Sequence, residues 1–243
     1  MEETFLIARW KNIPLTARQY LDFSKGLLLK LQAFDPRWFG WGGHPASGQG
    51  FKDDLSDFEA LTLPEIKAED TIYDNPDPAN IDITLDSTCW KGFLNIYGNT
   101  VPETEWKIRL SISAGASTPG ETNSVVMDFP PQADAPFYDY AYVAALFKLV
   151  IEHCDPDYAF VTSYKFWKKV EIPDAKIECP VGWLSYLANR AATPALPPGT
   201  EHELSSYGGP IITSMRELPS AENPEHVARA LHIRDALRQR GYL

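Results

Sequence analysis

Between Asp53 and Asp86 the chain carries eleven acids: Asp53, Asp54, Asp57, Glu59, Glu65, Glu69, Asp70, Asp74, Asp77, Asp82 and Asp86. The one base among them is Lys67, so this segment holds a net charge of −10, against −11 for all 243 residues. Charge this dense makes a strong local field, which repels nucleic acid and favours a solvated segment. With Pro64, Pro76 and Pro78 and little steady periodicity, the segment reads as loop-rich, with a short helix near Leu55 to Leu61. Two readings follow. The segment is a solvated stretch that keeps the chain soluble, or it is a surface whose field attracts a cationic partner.

The chain can build a core, since 44% of it is hydrophobic and 12% aromatic. A pI near 4.9 opposes direct binding to DNA or RNA, because phosphate neutralisation needs a basic face. It leaves open a protein partner that is itself basic where it grips nucleic acid. Cys89, Cys154 and Cys179 are odd in number and widely spaced, which opposes a disulfide framework or a structural zinc site. No cofactor and no metal site is expected. The start of the chain lacks a basic region followed by an apolar one, and no apolar run reaches the ~18 residues of a membrane span. The expectation is a cytoplasmic protein of one domain over residues 1–243, with the acidic segment inside it.

Phe5 to Trp10 reads as a strand. Thr16 is a helix cap, and Tyr20, Phe23, Leu27, Leu31 and Phe34 mark one helical face that ends at Asp35-Pro36. Strands are expected over Gly92 to Tyr97, Trp106 to Ser113 and Ser124 to Phe129, as an antiparallel meander. A helix apolar on most sides runs from Tyr138 to His153, and Tyr158 to Thr162 follows as a strand. Val181 to Leu187 and Pro210 to Met215 are further strand candidates, with a Pro-rich loop at Thr193 to Thr200 between them. The final helix has Asn223 as cap, Pro224 at its first position and Gly241 as its stop. The class is α+β, mainly antiparallel sheet with about three principal helices.

Catalytic patterns are sparse. There is no phosphate-cradling glycine loop, no HExxH and no GxSxG. His202 between Glu201 and Glu203 reads as a solvated loop in preference to a metal chelate. A metal-dependent nuclease would pair Pro76-Asp77 with Glu105-Trp106-Lys107, or Pro156-Asp157 with Asp174-Ala175-Lys176. In a chain of 20 prolines and 33 acids such matches arise by chance, and the basic groove that a nuclease needs is missing. Trp10, Trp106 and Trp183 fall in strand patterns and read as core, whereas Trp38 and Trp41, set among glycines, are either core or an exposed aromatic anchor.

Gly182 to Leu187, the Pro-rich loop, Gly208-Gly209-Pro210-Ile211-Ile212, Asn223 to Val227, Arg234 to Leu237 and Gly241-Tyr242-Leu243 form a succession that resembles the immunity protein 52 family. The first helix followed by Trp41-Gly42-Gly43 is similar to the same pattern, whereas Phe51 to Ala135 is not matched residue by residue. The resemblance implies a non-enzymatic antidote of a bacterial polymorphic toxin system, often one of type VI secretion. It further implies that the antidote binds a cognate toxin with a restriction-endonuclease-like nuclease domain. The resemblance carries no binding residues. Charge and aromaticity alone name the toxin-binding candidates: Asp53, Asp54, Asp57, Glu59, Glu69, Asp70, Asp74, Asp77, Trp38 and Trp41. A generic acidic interaction module, such as a secretion chaperone, and a hydrolase remain the competing classes.

Overall fold

Local chemistry sets the first long helix. Thr16 Oγ1 accepts from Gln19 N–H at 3.3 Å while Gln19 Oε1 accepts from Thr16 N–H at 2.9 Å, a reciprocal cap that satisfies two otherwise orphaned donors. The computed structural model describes residues 3–43, 50–74, 83–89, 92–100, 107–117, 122–130, 136–171, 181–188 and 196–243. Its elements in chain order are β1 (Thr4–Trp10), α1 (Ala17–Phe34), β2 (Trp41–Gly42), α2 (Phe58–Asp74), β3 (Phe93–Thr100), β4 (Lys107–Ala114) and β5 (Asn123–Asp128). Then come α3 (Tyr140–Cys154), β6 (Tyr158–Ser163), α4 (Tyr164–Val170), β7 (Leu184–Leu187), β8 (Glu201–Leu204), β9 (Pro210–Thr213) and α5 (Pro224–Gln239). The class is α+β with antiparallel strands, as expected. Beside the three expected helices α1, α3 and α5 stand two more, α2 and α4.

The chain divides into two compact units, residues 10–127 and residues 1–9 with 128–243. In the first unit the strands lie in the order β2-β3-β4-β5. Ile108, Leu110 and Ile112 of β4 are buried and alternate with outward residues, so one face of this meander meets the core. α1 lies against it, and the buried Tyr20 hydroxyl donates to the Ile112 carbonyl at 2.9 Å. Trp10 packs on Phe23, the ring centroids 5.6 Å apart.

In the second unit the order is β1-β6-β7-β9-β8. Every residue of β7 and β9 is buried, and nearly every residue of β1 and β6. Such runs need cover on both faces, and the register shows its source. Phe5 and Phe160 share a face with Ile212, and there Trp167 of α4 packs against both rings and Tyr164 against Phe5, at tilted or edge-on angles. Thr213 has the opposite parity, and its hydroxyl bonds to that of Tyr140 on α3 at 2.8 Å. α3 therefore covers one face and α4 the other. α4 starts where β6 ends because Ser163 Oγ accepts from Phe166 N–H at 3.1 Å. α5 opens as expected, with Asn223 accepting from Glu225 N–H at 3.0 Å and Pro224 following the cap.

Gly182 marks the tightest approach in this unit. A Cβ there would sit 2.2 Å from the Val161 carbonyl oxygen, which also accepts from Trp183 N–H at 2.7 Å. Gly182→Ala must push β7 away from β6 and is expected to cost about 3 kcal/mol or more. Denaturant unfolding reads this directly.

Candidate functional site

The acidic segment is more ordered than its composition suggests. Instead of a loop-rich stretch with a short helix at 55–61, α2 runs for 17 residues from Phe58 to Asp74, with Pro64 exposed inside it. The reason is an apolar underside. Leu55, Phe58, Thr62 and Ile66 are buried at spacings of three or four, which is the stripe a helix needs to dock. Phe58 packs on Phe51 at 5.2 Å and on Tyr97 at 5.8 Å between ring centroids. Burial pushes the Tyr97 hydroxyl well above the usual phenol range.

With that side fixed, the acids are sorted by what they touch. Asp54 accepts from Ser56 N–H at 2.9 Å, a bond that lowers its pKa, and Asp57 accepts from Lys52 N–H at 3.0 Å. These two shape the turn that leads into α2. Glu59 faces Arg18 at 3.7 Å in a half-exposed pair, worth little to stability. Asp53 is exposed in the same turn. Asp53, Asp54, Asp57 and Glu59 thus lie together at the start of α2. Glu69, Asp70 and Asp74 fall on the later turns of its backbone; their side chains, and Asp77 entirely, lie outside the described residues.

Trp38 and Trp41 do not join this surface. They are 0% and 1% exposed and stack on each other with centroids 5.8 Å apart. The exposed-anchor reading of both is corrected: they are core. A short 3-10 turn at Pro36–Trp38, held by the Asp35 carboxylate on Arg37 N–H at 2.8 Å, turns Trp38 inward. The carboxylate of Glu65 also turns inward, its Oε2 buried and without a hydrogen-bond partner among the described residues. It fills the space that a side chain at position 43 would need, for a Cβ on Gly43 would meet it at 2.6 Å.

A second feature belongs to the other unit. A cleft of about 610 Å³ opens between the loop at 197–201, the end of β9 and α5. Arg216 pairs with Glu201 and lies 4.4 Å over the Tyr140 ring, and its guanidinium holds the Glu201 carboxyl below its ordinary range. Arg229 donates to the carbonyls of Ser214 and Gly199 and so ties the loop to α5. His226 Nδ1 accepts from Ser220 N–H at 3.2 Å, which leaves Nε2 facing Glu217 at 3.4 Å. The sequence singles out Glu201 only as a neighbour of His202 and does not bring these residues together, because the loop, the strand end and the helix that supply them are distant in the chain. His202 lies on a strand, β8, and not in a loop.

The nuclease pairings cannot be assembled, since Asp77, Glu105, Trp106 and Asp174 to Lys176 lie outside the described residues. Among the described residues no group of three or more His, Cys, Asp or Glu could hold a metal, and no helix is long and apolar enough to cross a membrane.

Three changes test these assignments. Glu65→Gln is expected to keep the melting temperature, because it preserves the side-chain volume packed against Gly43. Gly43→Ala should lower it. Arg229→Ala is expected to cost about 1–2 kcal/mol through the loss of two charge-assisted bonds, read by thermal unfolding.

The comparisons with known proteins concern both units differently. Over the whole fold the chain is similar to a solved structure titled "Pseudomonas aeruginosa T6SS protein PA0821", with a TM-score of 0.56 and 13% identity, over 99% of this chain and 76% of that one. At that identity the likeness is one of fold. No curated protein matches. The sequence pattern described as Immunity protein 52 matches residues 136–243, which lie in the unit that carries the cleft, β8 and α5. Immunity protein 52 is therefore the family that this chain resembles, and residues 136–243 are the part that carries the match.

Proposed function

We propose that this chain is an immunity protein that binds a cognate bacterial toxin and neutralises it. The match of residues 136–243 to immunity protein 52 carries the reading, and the fold likeness to a protein titled as belonging to type VI secretion supports it. The toxin is a nuclease effector delivered by that route, and the immunity protein meets it in the cytoplasm, where nucleic acid is cut. The carboxylates at the start of α2, Asp53, Asp54, Asp57 and Glu59, with Glu69, Asp70, Asp74 and Asp77 after them, face the toxin's basic groove and block it. Their number suits steering: like charges gathered on one surface raise the encounter rate with a cationic partner by ~10-fold or more at low salt. Inhibition is by occupation of the groove and needs no chemistry of this chain's own.

Co-expression with the product of the adjacent gene is the direct test. Cells are expected to survive only when this chain is made, and the two proteins are expected to co-purify. The association rate should fall by ~10-fold or more between about 20 mM and 500 mM salt. Asp53→Asn combined with Glu59→Gln, which leaves the turn-forming Asp54 and Asp57 in place, should flatten that dependence. A rate indifferent to salt would remove the electrostatic part.

A further inference from the structure

β8 ends its strand order, and its residues Glu201 to Leu204 are all exposed, unlike those of β7 and β9. The direction of its hydrogen bonds follows from the register. Leu204 lies opposite Pro210, and Ser205 N–H donates to Gly209 O at 2.9 Å, so Ser205 and Gly209 form a hydrogen-bonded pair. Such pairs alternate in an antiparallel ladder, which makes Glu203/Ile211 and Glu201/Thr213 the next two. Ser214 N–H donating to Trp183 O at 3.1 Å on the other side of β9 fits the same parity. The N–H and C=O groups of His202 and Leu204 therefore point away from β9. Among the described residues no strand lies beyond them. Leu204 is 61% exposed as well.

From this geometry we infer that β8 is a docking edge for an extended segment of a partner protein that has Lys or Arg at alternate positions. The inference rests on the toxin-binding reading and names where the toxin's chain is gripped. Four free main-chain groups on a strand edge are a template for strand addition. Side chains select the occupant. Glu201 and Glu203 point to the α3 face, where Arg216 and Lys148 hold them, yet each remains half-exposed. In the added ladder they occupy the close, non-hydrogen-bonded positions, so cations opposite them are favoured. On the other face Leu204 offers an apolar contact.

A second copy of this chain fits badly. Two-fold pairing that uses the free groups and overlaps three residues of β8 is centred on His202 or on Glu203. The first sets Glu201 opposite Glu203 of the copy, and the second sets Glu203 opposite itself. Like charges in directly opposed positions are unfavourable, so the edge resists its own kind and accepts a basic strand.

Amide hydrogen exchange with the purified product of the adjacent gene tests the inference. The His202 and Leu204 amides are expected to exchange fast in the free protein and at least ~10-fold more slowly in the complex, while Glu203 is already protected by β9. Leu204→Pro removes an outward N–H and no bond to β9, so it should keep the melting temperature and weaken binding by ~10-fold or more. Glu203→Gln removes only an exposed ion pair within the fold and should weaken binding as well. A complex that forms without protection at His202 and Leu204, and with Leu204→Pro at full affinity, overturns the edge and leaves the toxin-binding reading standing. Protection that appears on concentrating this chain alone makes the occupant a second copy and also overturns it. Failure of any complex to form overturns both readings together.

Discussion

Burial of β6, β7 and β9 on both faces is the constraint on which the unit of residues 1–9 and 128–243 depends. Strands with no polar face cannot be left open on either side, so α3 must lie on one and α4 on the other. The parity that places Phe160 under Trp167 places Thr213 under Tyr140. Close approach then becomes unavoidable at the strand ends, which is why Gly182 and Gly209 lie where a Cβ would meet the carbonyls of Val161 and Leu187. β8 is exempt from this constraint. Its polar sequence, Glu-His-Glu-Leu, is tolerable only at a margin, and there the sheet stops.

The acidic segment obeys a different logic in the other unit. A dozen residues of dense charge would not fold alone, yet α2 forms because Phe58, Thr62 and Ile66 present a stripe to Phe51 and Tyr97. Fixing one side of a helix fixes the other, so carboxylates at its start are held close in spite of their repulsion. Part of that repulsion is relieved locally: Asp54 and Asp57 accept from backbone N–H groups, and Glu59 faces Arg18. A field made this way acts at a distance and with little specificity, and it weakens in salt. Backbone pairing at an edge acts only at contact and is set by register. The two are complementary as means of binding, whichever macromolecule exploits them.

What the sequence makes legible follows from how local the cause is. The caps at Thr16 and Asn223 are chemistry between residues three apart or fewer, and they stand where the sequence places them. The alternation of Ile108, Leu110 and Ile112 is equally local, and so is the apolar girth of α3. α2 is under-read because its acids mask a four-residue apolar period, and Pro64 suggests a break that an exposed helix position absorbs. α4 is missed because its seven residues follow a strand without a gap, marked only by the Ser163 cap. Trp38 and Trp41 show the limit most clearly. Neighbouring glycines suggest access, but the Asp35–Arg37 contact that turns Trp38 inward is a side-chain event. The cleft around Arg216 and Arg229 has no local signature at all, since it draws on the loop before β8, the end of β9 and α5.

The position of β8 within this picture has a physical consequence for how a chain can present a strand edge without pairing with its own copy. Natural edges are guarded by shortness, charge or cover. β8 uses the first two: it spans four residues, and its two glutamates lie on one face at a spacing of two. That spacing makes each full two-fold overlap oppose acid to acid. Pairing Glu201 with Arg216 and Glu203 with Lys148 holds the carboxylates upright over the strand, and half-exposed pairs of this kind keep room for another cation. A guard of carboxylates standing over the strand is selective as well as protective, because a carboxylate directly opposite them is repelled whereas a Lys or Arg is not. An uncharged guard, such as proline, would block both alike. The residues that keep β8 from pairing with its own copy are therefore the same ones that define which foreign segment it can take.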